Sequence, residues 1–143
     1  MFQKRKEDRT SYGIVGLGRF GYALAVELAH SDAELLVMDR DEEKIRHWMQ
    51  SLREQGKLTD NAFVVRSLDK KTLMETGIQD CDIAIVCIGE QMESSILTTL
   101  NLVNLGVPMV IAKASSAEHG EILEKLGAEV VYPERDMAIR LAN

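Results

Sequence analysis

The stretch "GIVGLGRFG", residues 13–21, decides how this 143-residue chain folds. Its glycines Gly16, Gly18 and Gly21 have the G-x-G-x-x-G spacing. They follow a short β-prone run, Ser11–Gly16, and open a segment, Arg19–His30, whose apolar Phe20, Leu24 and Leu28 recur at helical spacing. In a strand–turn–helix context each glycine has a physical task. Gly16 allows the tight turn, Gly18 lets backbone approach a pyrophosphate with no Cβ in the way, and Gly21 lets the helix pack closely on the strand. The amides of Leu17 to Phe20 then direct the positive helix end at phosphate oxygens.

Reading outward, "ELLVMD" (34–39) is a continuous apolar strand that ends on Asp39, 21 residues past Gly18. A carboxylate at that distance accepts hydrogen bonds from both ribose hydroxyls and repels a 2′-phosphate, favouring NAD or adenosine nucleotides over NADP. The competing reading, a merely tight turn with Asp39 capping the next helix, does not explain why turn and acid agree in register. Arg19, inside the turn, is either a solvated helix-start arginine or a bidentate grip on a terminal phosphate, and the second reading is preferred. Arg40 has two readings, over the adenine or out into water.

The rest of the chain alternates in the same way. A charged amphipathic helix is expected from Asp41 to about Gln55, then a strand at 62–65 ("AFVV"). A short helix capped by Asp69 follows and stops near Gly77. "CDIAIVCI" (81–88) reads as a central parallel strand, apolar on both faces. After it come a helix from Glu90 to Leu105, a strand over 109–114 and a helix from Ser116 to Leu126. "EVVY" (129–132) is the sixth strand, and Pro133 opens a last helix. Six strands with helices between them imply an α/β, doubly wound, open parallel six-stranded sheet, Rossmann-like, in the order 3-2-1-4-5-6. Ligands in such a sheet sit beyond the carboxyl ends of its strands. That adds Ile88 and Gly89, closing strand four, and places Lys113 on the same rim as a ligand or an ordinary exposed lysine.

Composition narrows the function classes. Seventeen Lys+Arg against 23 Asp+Glu give net −6, which argues against a nucleic-acid or anionic-membrane surface. No apolar run approaches the ~18–20 residues of a membrane span, and no signal-peptide pattern opens the chain. "FQKRKEDR" (2–9) mixes both charge signs and is expected to be a solvated, disordered tail over residues 1–10, leaving 11–143 as one domain. Cys81 and Cys87 lie in an apolar run without C-x-x-C spacing, so they read as reduced, structural thiols of a cytoplasmic protein.

Chemistry beyond binding is harder to find. Hydride transfer needs a substrate pocket and a general acid or base beside the nicotinamide. His30, His47 and His119 each read as surface residues, and no metal-ligand spacing or nucleophile turn appears. A nucleotide thus has a seat, but nothing in these residues is positioned to react with it. The enzyme reading that stays open is the cofactor half of an NAD-dependent oxidoreductase.

"YGIVGLGRFG", "VMDRDEEKI", "DIAIVCIGEQMESSILTTLNLVNLGVPMVIAKA" and "LEKLGAEVVYPERDMAIRLA" together resemble the regulator of potassium conductance domain, also called KTN or TrkA-N, over nearly the whole chain from residue 11. The likeness is to the regulatory subunits of bacterial Ktr/Trk-type potassium uptake systems. It implies a cytoplasmic, non-enzymatic, ligand-sensing subunit, peripheral to the membrane's inner face, that dimerises and assembles into a ring, an octamer being one size, below a membrane potassium transporter. It also implies that ATP, ADP or NAD(H) at the glycine turn change the ring's shape. The family's phosphate-turn arginine falls on Arg19, its ribose acid on Asp39 and its strand-five lysine on Lys113. Its "PE[RK]D" glutamate, which faces a divalent cation (Mg²⁺ or Ca²⁺) near the terminal phosphate at a subunit interface, falls on Glu134. From the residues alone Glu134 is only a first-turn helix acid, favourable to the dipole.

Three departures from the family pattern stand out. The small-residue step at the adenine end is Arg66-Ser67-Leu68 here, which makes Ser67 and Leu68 the candidates there. The second helix runs long and carries Trp48, expected to pack rather than to serve as a ligand platform. The family's small C-terminal ligand-binding domain is absent from these residues, as expected either of a piece of something longer or of a single-domain relative, and stopping inside a helix favours the first. Oligomer contacts are expected from Ile96, Leu97 and Leu100 and from Met137, Ile139 and Leu141, with intrachain core as the competing reading.

Overall fold

A computed structural model describes residues 9–31, 33–57, 61–88 and 91–143. Six strands, β1 (Ser11–Val15), β2 (Glu34–Asp39), β3 (Ala62–Val64), β4 (Ile83–Val86), β5 (Met109–Lys113) and β6 (Glu129–Val131), form one sheet in the order β3-β2-β1-β4-β5-β6. All five pairings are parallel. This is the doubly wound order expected from the sequence. The helices are α1 (Arg19–His30), α2 (Glu42–Glu54), α3 (Lys70–Thr76), α4 (Met92–Asn104), α5 (Ala117–Lys125) and α6 (Pro133–Ala142).

Alternation along the central strands sends side chains to two cores. Ile14, Val37 and Ile85 point to the face covered by α1 and α2, where Ala25, Ile45, Trp48 and Leu52 are buried. Val15, Met38, Ala84 and Val86 point to the opposite face, which also gathers Leu73, Leu102 and Leu123 from α3, α4 and α5. Trp48 is 1% exposed and Tyr22 meets it edge-on, ring centroids 5.8 Å apart. Its expected packing role is what the structure shows.

Local chemistry explains most boundaries. Asp41 caps α2 by accepting from the Glu43 amide (2.9 Å), with Glu42 and Glu43 in the first turn. Asp69 caps α3 through Thr72 (2.8 Å), and Ser116 caps α5 through His119 (3.1 Å). β4 is shorter than the apolar run 81–88. The Asp82 carboxylate accepts from the Ser11 amide (2.9 Å) and hydroxyl (3.1 Å), and a 3-10 turn at Ile78–Asp80 occupies the preceding residues. Past β4, the Cys87 amide still donates to the Val15 carbonyl (2.8 Å). α6 buries none of its residues, and Met137, Ile139 and Leu141 on it are 51%, 53% and 79% exposed.

Candidate functional site: a nucleotide cleft at the glycine turn

At the carboxyl ends of β1, β2, β4 and β5 lies an open cleft of about 980 Å³. Its floor is the glycine turn. Gly16 has φ +103°, which a side chain would strain, and a Cβ on Gly21 would sit 1.9 Å from the Gly16 carbonyl oxygen. The turn therefore closes only with glycine at both places. Gly18 lines the cleft, and a Cβ there would meet nothing of the protein within 4 Å. The cradle thus fits a group that approaches backbone closely.

The N-terminus of α1 is electrostatically unlike the other helices. Its N-cap is Gly18, with no side-chain hydrogen bond, and its first turn holds no acid but does hold Arg19. Each of the other five has a capping side chain, a first-turn acid, or both. The amides of residues 18–21 are those a helix leaves without intrahelical acceptors, the ladder beginning with Tyr22 N–H to the Gly18 carbonyl (2.8 Å). Unpaired donors, a dipole end and a guanidinium make a site for an anion.

Asp39 faces this turn and is held there. Its Oδ2 accepts from the Leu17 amide (2.7 Å) and its Oδ1 from the Asp41 amide (2.8 Å). Each carboxylate oxygen keeps a further lone pair, so the clamp orients Asp39 without using up its capacity for ribose hydroxyls. The clamp also corrects one expectation. The Leu17 amide serves Asp39, so the run of amides without an intrahelical acceptor begins at Gly18.

At the other rim Lys113 Nζ pairs with Glu134 Oε1 at 3.2 Å and lies over the Phe20 ring, 6.0 Å from its centroid. The Glu134 carboxyl is held below the usual range by its own backbone amide and then by Lys113. Among the described residues, Arg19, Arg40 and Lys44 line the cleft without any carboxylate in ion-pair range. No three of the described His, Cys, Asp and Glu residues cluster as a metal site. Glu134 would thus need donors from outside the described residues to hold a cation. Burial pushes the Cys81 thiol up to about 11 and the Cys87 thiol up to about 12, so both stay protonated.

Most of the expected site residues meet in this cleft. Gly16, Gly18, Arg19, Phe20, Asp39, Arg40, Leu68, Ile88, Lys113 and Glu134 line it, whereas Leu17 and Gly21 support it from behind. Ser67 stands apart. It does not line the cleft, and its Oγ accepts from the Asp69 amide (3.3 Å) in the turn leading to α3. Gly89 lies outside the described residues. Lys44, Gln91, Ser94 and Ser115 line the cleft and escape a reading by motif. Strand ends were the available signal, since Gln91 and Ser94 begin the helix after β4 and Ser115 follows β5.

His119 overturns its expected surface position. It is fully buried, with Nδ1 3.1 Å from the Ser115 amide and Nε2 3.1 Å from the Ser95 hydroxyl. Burial pushes its pKa down. His30 and His47 are exposed, as expected.

Residues 12–133 match the TrkA-N domain family. The chain belongs to that family. Among curated relatives of this TrkA-N chain, Ktr system potassium uptake protein C of Bacillus subtilis is 38% identical over 136 residues, covering 94% of this chain and 58% of the relative. Ktr system potassium uptake protein A of Vibrio alginolyticus is 33% identical over 139 residues, covering 96% and 60%. The chain therefore spans about three fifths of these relatives. Among solved structures, the TrkA-N domain of the inner membrane protein ybaL from Escherichia coli superposes with a TM-score of 0.75 at 22% identity, covering 94% of this chain and 95% of that one. A crystal structure of GsuK bound to ADP gives a TM-score of 0.69 at 25% identity, covering 94% and 33%.

Proposed function

We propose that this TrkA-N chain is the nucleotide-sensing regulatory domain of a potassium uptake system, binding ATP, ADP or NAD(H) at the glycine turn to gate a membrane transporter. The observation that carries the binding half is the start of α1, where free amides, Gly18 and Arg19 face Asp39 across the cleft. The potassium half is supported by the relatives, two of them named as Ktr potassium uptake proteins. In the GsuK structures the bound molecules are ADP and, in another, NAD.

Each residue has a part in this reading. The amides from Gly18 onward and Arg19 receive phosphate, Asp39 receives the ribose diol, and Leu68, Ile88 and Arg40 flank the base and sugar. Lys113 is drawn toward a terminal phosphate, which frees Glu134 from its 3.2 Å ion pair. Glu134 then faces a divalent cation, Mg²⁺ or Ca²⁺, held jointly by that phosphate and a neighbouring subunit. Copies of the chain form a dimer and a ring on the cytoplasmic side of the transporter, in contact through exposed apolar residues of α4 and α6. Among the described residues no helix is long and apolar enough to cross a membrane. In this reading contact with the bilayer runs through the partner. A ligand shifts such a ring only by the difference in its affinity for two shapes. A terminal phosphate that recruits Arg19 and Lys113 supplies such a difference, and no reaction is needed.

The test is thermal unfolding with ATP, ADP, NAD, NADH and NADPH, with and without Mg²⁺. A ligand at 100 times Kd adds about 2.7 kcal/mol, a rise of roughly 5–11 °C at ~2–4 °C per kcal/mol. Stabilisation by ATP or ADP that Arg19→Ala reduces is the expected result. Stabilisation by NADH alone, unmoved by Arg19→Ala, would favour the cofactor half of an oxidoreductase, and no shift with any ligand would leave the turn purely structural.

A further inference from the structure

We propose that His119 is a positioning residue that couples the phosphate end of the cleft to helix α4. This inference rests on the nucleotide-binding reading above. A backbone amide can only donate, so the Ser115 N–H at 3.1 Å makes His119 Nδ1 an acceptor. In the neutral ring the proton then sits on Nε2 and is donated to Ser95 Oγ, also at 3.1 Å. The imidazole is a rigid strut with both ends engaged. One end holds the loop after β5, where Ser115 lines the cleft two residues beyond Lys113. The other holds the buried face of α4.

That face is built to respond. Its buried residues are Ser95, Thr98, Thr99 and Leu102, and the Thr98 and Thr99 hydroxyls have no hydrogen-bond partner. Three of these four fully buried residues carry hydroxyls, and the branched Ile96 and Val103 pack against the core only from partly buried positions beside them. At the far end of α4, Asn101 Nδ2 donates to the Leu68 carbonyl (3.1 Å), and Leu68 lines the opposite rim of the cleft. Single hydrogen bonds therefore tie α4 to both rims, while its outer face presents Met92 and Leu97, 40% and 50% exposed. A phosphate that moves Lys113 and Ser115 pulls on Ser95 through His119, and the partnerless Thr98 and Thr99 hydroxyls let α4 change its seat at little cost.

Hydrogen exchange of the whole chain, free and with ATP–Mg²⁺ or ADP, tests this. ATP should slow exchange at residues 16–21, at 113–119 and along 92–104. Ser95→Ala should keep ATP affinity within about twofold and keep the slowing at 16–21 and 113–119. It should cut the α4 response by about fivefold, the weight of one net hydrogen bond. His119→Asn keeps an acceptor for Ser115 but cannot reach Ser95, and should copy Ser95→Ala. His119→Gln keeps a donor for Ser95 but leaves the Ser115 amide unpaired, and should weaken ATP binding by about fivefold. An unchanged α4 response in both Ser95→Ala and His119→Asn overturns the proposal, as does a wild-type chain that slows at 16–21 but not at 92–104. No slowing at 16–21 with either nucleotide would instead sink the nucleotide reading, and this inference with it.

Discussion

The two faces of the sheet are closed in different ways. On one, α2 lays Ile45, Trp48 and Leu52 into the core, and the largest buried side chain of the described residues fills the space beside Tyr22. On the other, α4 buries Ser95, Thr98, Thr99 and Leu102, with Ile96 and Val103 partly buried beside them, and the Thr98 and Thr99 hydroxyls have no hydrogen-bond partner. Close-packed bulky groups interlock and resist sliding, whereas small hydroxyls contribute fewer contacts and carry a desolvation cost. On the coupling proposed above, the α1–α2 face holds the glycine turn and Asp39 still while the α4 face moves in response.

The largest effect is expected on the rigid side. Trp48→Ala should cost about 3–5 kcal/mol in urea unfolding, by transfer and cavity terms together. Its Nε1 has no hydrogen-bond partner, so no polar group is newly orphaned. A loss below about 1 kcal/mol would break the comparison at its stronger end. On the α4 side the sign should reverse. Thr99→Val removes a buried, partnerless hydroxyl at nearly constant volume and should stabilise the chain by about 1–3 kcal/mol. If it destabilises by a similar amount, the hydroxyl has an acceptor after all and the face is better closed than it looks. The smallest change in stability is expected at the start of α1. Gly18→Ser offers the missing cap and should gain only a few tenths of a kcal/mol, yet abolish the thermal shift given by ATP or ADP. A variant that gained stability and kept the shift would mean that the free amides of α1 are not what the phosphate meets.

Much of this was legible in the residues. Strand order follows from alternating apolar strands and amphipathic helices, which obey short-range periodicity and right-handed crossover rules. The glycine turn was legible because its requirements are backbone geometry, shown by the +103° φ at Gly16 and the 1.9 Å approach at Gly21. Asp39 was legible by its distance along the chain from that turn. Ser67 stands apart from the cleft lining, its hydroxyl accepting from the Asp69 amide in a local turn that no ligand motif announces. Lys44 and Ser115 carry no motif and enter the site only because their elements end at the same edge of the sheet.

His119 marks the limit most sharply. On a helix beside Glu118 and Glu121 it looks like any solvated residue, and nothing local says that Ser95, 24 positions earlier, lies across from it. By itself the sequence determined the sheet, the turn and the acid opposite it, because each depends on neighbours within a few residues or one crossover. Only the tertiary structure decided that Asp39 clamps the Leu17 amide, that Lys113 meets Glu134, and that a buried imidazole joins two helices. Those are distances between separately formed elements, set by how the two cores pack, and no local pattern encodes them.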